Sequence, residues 1–149
     1  MDDDGDLIEK ARAFAKVHHG GQVRKFSGDP YFTHPEKVAN ALRVWDDPPG
    51  VATHEIVVAY LHDVIEDTSV TYEDIVESFG QEIADDVMVL TKKEGENYFD
   101  YIRRISESSR GNIWVKIEDL THNMSDLEEG TLKERYRKAK AILETVLGV

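Results

Sequence analysis

One nearly all-apolar helix near the middle of the chain constrains the fold more than any other feature. The pattern predicts a helix from about Ala52 to Glu66 that ends near Asp67 and Thr68. Its apolar residues leave no clear polar face: Ile56, Val57, Val58, Ala59, Leu61, Val64 and Ile65. A helix that is apolar nearly all round is a buried helix. The rest of the chain is therefore expected to be organised around this segment.

Four groups that can bind a metal or transfer a proton lie at the end of this helix. His62 and Glu66 are four residues apart, as are Asp63 and Asp67, so each pair is expected to share a helix face. Buried carboxylates and imidazoles need partners, and a cation is an effective one. The chain has no cysteine, so a metal would be held by nitrogen and oxygen, which favours Mn, Mg or Fe over a structural zinc.

Two other segments offer potential ligands in similar settings. A single His-Asp pair on a helix is usually a cap or an ion pair, but here His34 stands at a predicted helix start and Asp119 lies inside an apolar helix. Asn123 follows Asp119 on the same helix face and could donate to a substrate oxygen. Two imidazoles and two carboxylates leave two positions on an octahedral ion for water and substrate. Such a set is typical of a catalytic metal site.

The remaining periodicities are also helical, and no segment alternates like a strand. Thr71 is expected to begin one helix as an N-cap, with Asp74 completing a capping box. With 149 residues, these patterns predict one all-α domain, residues 1–149, of about seven or eight helices. Besides the central helix, the predicted helices are Leu7–Val17, His34 to about Trp45, Thr71 to Phe79, Ile83–Leu90, Tyr98–Ile105, Ile113–Leu127 and Leu132–Leu147.

The charge of the chain limits its partners. The formal net charge is −12, from 18 basic and 30 acidic residues, which would repel a phosphate backbone and argues against nucleic-acid binding. Arg24 and Lys25 are a conspicuous basic pair in this acidic background. No apolar run is long enough for a membrane span, and the acidic start at Asp2 differs from a signal peptide. A cytoplasmic location without membrane contact is expected. The sequence gives no indication of oligomeric state.

Four motifs in order resemble the hydrolase domain of RelA/SpoT homologues, and the chain is most similar to small alarmone hydrolases. The sequence of His34, then His62-Asp63, then Asp119 is similar to the H…HD…D signature of HD-domain metal phosphohydrolases. The resemblance extends from about Ala11 to Leu127, and its motifs are Gly21–Lys25, Pro30–Pro35, Leu61–Thr68 and Asp119–Met124.

This resemblance implies an HD-domain helical bundle, one Mn²⁺ ion per chain, and a small-molecule nucleotide substrate. The implied reaction is hydrolysis of the 3′-pyrophosphate of (p)ppGpp to GDP or GTP and pyrophosphate. Glu66 and Asp67 match the acidic pair that positions and deprotonates the attacking water. The implied metal ligands are His34, His62, Asp63 and Asp119, and the implied substrate contacts are Arg24, Lys25 and Asn123.

Three residues depart from the family pattern near the expected nucleotide site. Phe26 intervenes after the basic pair, and Leu120 and Asp126 replace an arginine and a threonine. An adenosine alarmone or another 3′-phosphorylated nucleotide therefore stays an alternative substrate. A generic HD nucleotidase is a weaker alternative, because both the Arg24-Lys25 pair and the Glu66-Asp67 pair speak against it. A non-catalytic nucleotide sensor is also weaker, because it would have no use for a water-activating pair. Structural or exposed roles are expected for His18, His19, His54 and His122, while Arg135 and Tyr136 are left open between substrate contact and packing.

Overall fold

A computed structural model describes residues 3–149, so Asp2 of the acidic start lies outside the described residues. This part of the chain contains nine α-helices and no strand beyond one isolated bridge between Val23 and Pro30. The all-α prediction is confirmed. The helices are Asp3–His18 (α1), Thr33–Arg43 (α2), Thr53–Leu61 (α3), Val64–Asp67 (α4), Tyr72–Phe79 (α5), Gln81–Leu90 (α6), Tyr98–Ser106 (α7), Arg110–Ser125 (α8) and Thr131–Leu147 (α9).

Helix α3 lies at the centre of the bundle. It packs against α1, α2, α6 and α8, while α9 covers α7 and α8. The side chains of Ile56, Val57 and Leu61 are completely buried, as expected for a helix without a polar face. Buried apolar residues from all nine helices, including the single Val64 of α4, form one continuous core around α3. None of the helices described over residues 3–149 is long and apolar enough to cross a membrane.

The prediction of one continuous central helix was wrong at its end. The helix is interrupted at His62 and Asp63, and the single turn α4 follows. The side chain of His62 donates from Nδ1 to the carbonyl of Ala59 at 2.6 Å. In a continuous helix the amide of Asp63 would use that carbonyl. The interruption therefore places His62 and Asp63 at a helix junction, where their side chains need not follow α-helical directions.

Capping residues explain why the start of α5 agrees with the prediction and why the start of α8 does not. Thr71 and Asp74 form the predicted capping box at the start of α5. Helix α8 begins at Arg110, before the predicted Ile113, because the hydroxyl of Ser109 accepts from the amide of Asn112 at 3.2 Å. This cap extends α8 by a turn and fixes the helix that carries the later site residues.

Candidate metal centre and active site

Three separate elements bring the four predicted ligands together. His34 comes from the first turn of α2, His62 and Asp63 from the junction of α3 and α4, and Asp119 from α8. One potential ligand atom from each of them lies within 4.8 Å of the others. His34 Nε2 is 2.7 Å from Asp119 Oδ1, and His62 Nε2 is 3.1 Å from Asp63 Oδ2. All four side chains are buried.

The cluster fits a divalent cation. His62 Nε2 is buried and has no hydrogen-bond partner despite its proximity to Asp63, because the geometry of that approach is unsuitable. Burial alone would lower the pKa of His62, but the charges of Asp63 and Asp119 outweigh it and raise the pKa. A cation would satisfy the unpartnered nitrogen and balance both carboxylates. The oxygen and nitrogen donors suit Mn, Mg, Fe or Zn alike.

Each of the two histidines in the cluster has a second partner that orients its ring. The carbonyl of Ala59 holds His62 through Nδ1. His34 Nδ1 lies 2.7 Å from Nδ1 of His122. In both rings the other nitrogen, Nε2, faces the carboxylates. This arrangement is common around metal sites, because it fixes both the ring direction and the nitrogen left to bind the ion.

The two aspartates also have outer partners, Tyr31 and Lys116, for which no role was predicted from the sequence. The hydroxyl of Tyr31 donates to Asp63 Oδ2 at 2.8 Å. Lys116 Nζ lies 2.7 Å from Asp119 Oδ2 beside the ring of Tyr101, and its side chain is largely buried. Burial would lower the pKa of Lys116, but the Asp119 charge raises it well above its usual value. The role of Lys116 could have been predicted by the argument used for Asp119, because both are ionisable groups inside the same apolar helix.

A cavity of about 400 Å³ opens above this cluster. Asp63 and Asp119 reach its floor, and all five predicted catalytic and substrate residues line its walls. The cations and aromatic rings along the rest of the wall make it suitable for a ring-bearing anion. The lining residues are Arg24, Lys25, Phe26, Tyr31, Asp63, Glu66, Asp67, Lys92, Tyr98, Tyr101, Lys116, Asp119, Leu120, Asn123, Asp126, Leu127, Leu132, Arg135 and Tyr136.

The acidic pair faces the cavity on the turn after Asp63. Glu66 is open to the cavity, yet its walls desolvate the carboxylate, and burial with the charge of Asp63 raises the pKa of Glu66 to about 7. The amide of Lys92 donates to Glu66 Oε1 at 2.5 Å and holds the side chain in place. Burial and Asp63 also raise the pKa of Asp67. Glu66 is thus poised to exchange a proton near neutral pH.

Arg24 lies in the wall as predicted, but it is already paired. Its Nε and Nη2 atoms lie 2.6 and 2.5 Å from Asp126 Oδ2, and Nη2 donates to Asn123 Oδ1 at 3.1 Å. The amide nitrogen of Asn123 in turn donates to Asp119 Oδ1 at 3.0 Å. Lys25 is exposed over the ring of Phe26. Asp126, one of the residues that differ from the family pattern, therefore holds Arg24 in place in the cavity wall.

The remaining histidines lie outside the four-residue cluster. His19 is buried and contacts Gln22 through Nδ1 at 2.9 Å. His54 contacts Asp86 at 2.5 Å, on the side of α3 that meets α6. These two fit the structural roles expected for them. His122 differs, because it contacts a member of the cluster directly.

A helical bundle that gathers two histidines and two aspartates beneath an open cavity defines an α-helical metal-binding domain with room for a substrate. The chain belongs to the HD-domain family, whose family model, described as an HD domain, matches residues 11–144.

Relatives of this chain confirm its resemblance to the RelA/SpoT homologues. It is 37% identical to guanosine-3′,5′-bis(diphosphate) 3′-pyrophosphohydrolase of Aquifex aeolicus, over 92% of this chain and 20% of that protein. It is 36% identical to a GTP pyrophosphokinase of Myxococcus xanthus, over 96% of this chain and 20% of the relative. The chain thus spans about one fifth of the length of these curated relatives.

A solved structure supports the fold. The structure of a metazoan ortholog of SpoT, described as hydrolysing ppGpp, superposes with a TM-score of 0.74 at 24% identity. The match covers 95% of this chain and 84% of that one. At this identity the likeness establishes the HD-domain architecture, and the chemistry must be argued from the residues of the cavity.

Proposed function

We propose that this single domain hydrolyses the 3′-pyrophosphate of (p)ppGpp, releasing GDP or GTP and pyrophosphate, with one Mn²⁺ held by His34, His62, Asp63 and Asp119. The observation that carries this proposal is the place of Glu66, whose carboxylate faces the cavity next to the metal cluster with a pKa near 7. A nucleotide sensor would need no such proton acceptor. We include a cytoplasmic location in the same proposal.

In this reaction a water molecule attacks the phosphorus bonded to the ribose 3′-oxygen. Glu66 accepts one proton of the attacking water, a new P–O bond forms, and the bond to the 3′-oxygen breaks. The 3′-oxygen takes up a proton, in net terms the one accepted by Glu66, and leaves as a free hydroxyl, while the hydroxyl of the attacking water stays on the phosphorus of the released pyrophosphate. Asp67 orients the water from the same turn. A bound divalent cation supplies electrophilic polarisation of water and phosphoryl oxygens.

The cations of the cavity wall account for the binding of a polyanion by an acidic protein. The net charge of −12 opposes the approach of any phosphate, so attraction must come from local positive charge. Lys25, Lys92 and Arg135 line the cavity, and no carboxylate pairs with them among the described residues. Arg24 contributes a planar guanidinium that can lie against a base or bridge to a phosphate.

The test is an assay of the purified chain with Mn²⁺ and four substrate classes: ppGpp, ppApp, NADPH and nucleoside monophosphates. We expect pyrophosphate release from ppGpp, with loss of turnover in EDTA and in the Asp63→Ala variant. Parallel assays with Mg²⁺, Fe²⁺ and Zn²⁺ test the choice of ion. Phosphate release from monophosphates alone would identify a generic nucleotidase and overturn the proposal, whereas faster turnover of ppApp would move it to the adenosine alarmone.

Arg24→Gln is expected to raise KM for ppGpp at least about tenfold, with a change in kcat below about threefold. Nε and Nη2 of Arg24 are already paired with Asp126 and Asn123, so its bond to a phosphate would come from Nη1, a charged hydrogen bond worth about 1.5–3 kcal/mol. Arg24 contacts none of the four proposed metal ligands directly. Steady-state kinetics of the variant measure both constants. Lys37→Gln is the matched control, because Lys37 is an exposed cation of α2 outside the cavity lining. An unchanged KM would remove Arg24 from the nucleotide site.

A further inference from the structure

His122 meets the metal-site histidine His34 edge to edge. Their Nδ1 atoms are 2.7 Å apart, the ring centroids 5.0 Å apart, and the ring planes differ by 16°. Rings in face-to-face contact keep their atoms about 3.5 Å apart, so a 2.7 Å separation between near-parallel rings requires a shared edge. The contact is therefore an in-plane N–H···N hydrogen bond, which has the best geometry for an imidazole donor.

This hydrogen bond determines which nitrogen of His34 faces the cluster. His34 is fully buried, and its Nε2 lies 2.7 Å from Asp119 and 3.4 Å from Asp63. An imidazole that binds a cation through Nε2 keeps its one ring proton on Nδ1. That proton needs an acceptor inside the protein, and His122 Nδ1 is the nitrogen placed to receive it.

We propose that His122 is a positioning residue of the metal site: its Nδ1 accepts the Nδ1 proton of His34 and thereby holds His34 with Nε2 directed at the two aspartates. The inference rests on the proposed metal site, and adds a residue to it. It also assigns a task to a histidine that the sequence left among structural or exposed ones. His62 needs no such partner, because the carbonyl of Ala59 serves it.

The acceptors of the two histidines, the Ala59 carbonyl for His62 and His122 Nδ1 for His34, differ in how firmly they set the tautomer. A backbone carbonyl can only accept, so the His62 tautomer is set by the fold itself. An imidazole nitrogen accepts only when its ring proton sits on the other nitrogen, Nε2. The orientation of His34 therefore depends on a second side chain, and loss of its acceptor is expected to weaken metal binding about 10–100-fold.

Two substitutions at His122 separate the acceptor from the ring. His122→Phe keeps a ring of similar size but removes the acceptor, whereas His122→Asn can place its amide oxygen close to the position of Nδ1. Titration of the metal-free variants with Mn²⁺, followed by the EPR signal of free Mn²⁺, measures affinity without nucleotide. We expect weakening of about 10–100-fold for His122→Phe and an affinity within about threefold of the original for His122→Asn.

His54→Phe is the matched control, because His54 also pairs with another side chain but lies outside the cluster; its Mn²⁺ affinity should not change. Equal affinity losses in His122→Phe and His122→Asn, or no loss in either, would overturn the inference. Since no nucleotide is present, a failure of the proposed hydrolysis would leave these affinities unaffected.

The tautomer of His34 can also be read in the unaltered protein. With Zn²⁺ as a diamagnetic probe, long-range ¹⁵N–¹H spectra are expected to show the His34 proton on Nδ1 and its Nε2 without a proton. A metal-loaded spectrum with the His34 proton absent from Nδ1 would contradict the inference, even if the His122→Phe chain did not fold.

Discussion

Glu66→Gln is expected to reduce kcat for ppGpp by about 10²–10⁴-fold while changing Mn²⁺ and substrate affinity by less than about threefold. Glutamine keeps the shape of the side chain and can still meet the amide of Lys92, but it cannot accept a proton from water. Glu66 also lies outside the four-residue cluster proposed to hold the metal. Single-turnover kinetics together with equilibrium binding of both ligands separate the chemical step from binding.

The pH dependence gives this prediction a second readout. Burial raises the pKa of Glu66 to about 7, so its ionised, proton-accepting form grows as the pH rises through that value. A bound cation favours the ionised form. Turnover of the original chain should therefore rise with pH along a limb at or below about pH 7, and Glu66→Gln should lack this limb.

Glu118→Gln is a matched control for the loss of a glutamate with a perturbed pKa. Burial also raises the pKa of Glu118, but this residue does not line the cavity. Its substitution should leave both kcat and the acid limb unchanged. A Glu66→Gln enzyme with near-original turnover would show that Glu66 is not the base.

Three of the four residues in the candidate metal cluster could be predicted from the sequence because each breaks a local rule, whereas His34 rested on its place at a predicted helix start and on the family pattern. His62, Asp63 and Asp119 place ionisable groups in apolar helices, and burial without a partner is costly there. The structure brings all of them within reach of one ion. Local signals also predicted the capping box at Thr71, since its two partners lie three residues apart.

What could not be predicted depends on distant contacts. The interruption at His62 follows from its ring taking the Ala59 carbonyl, a choice that only the packed cluster makes favourable. Arg24 and Asp126 are 102 residues apart in the sequence, and no local pattern around either residue predicts that they form an ion pair. The family pattern marked Asp126 as a departure, but only the fold shows that its carboxylate meets the arginine.

Lys116 was missed although the rule that found Asp119 applies to it equally. An isolated lysine on an amphipathic pattern usually extends its charge into water, so its presence three residues before Asp119 carried no weight. The structure instead buries the ammonium against Asp119 Oδ2. Asp119, unlike Asp63, therefore balances the charge of a largely buried lysine, so the two aspartates are expected to differ in how much their loss destabilises the fold.

Asp119→Asn is expected to abolish Mn²⁺ binding and to destabilise the metal-free fold by about 3–5 kcal/mol, because it leaves the buried charge of Lys116 without its partner. Asp63→Asn should lose Mn²⁺ binding equally but cost less than about 1 kcal/mol at pH 8. His62 can give up its proton at little cost once the Asp63 charge, which helps to raise its pKa, is removed, whereas a lysine can do so only at a much larger cost. Urea unfolding in EDTA measures both free energies.

The double variant Lys116→Met/Asp119→Asn tests the cause of this difference. Removing the buried charge together with its partner is expected to restore most of the lost stability, because an apolar side chain beside Tyr101 leaves no unpaired ion. Mn²⁺ binding should stay absent, since the Asp119 ligand is still missing. The coupling free energy between the two positions is expected to exceed about 2 kcal/mol. Equal stability of Asp119→Asn and Asp63→Asn would instead show that Lys116 does not depend on Asp119 for its charge balance.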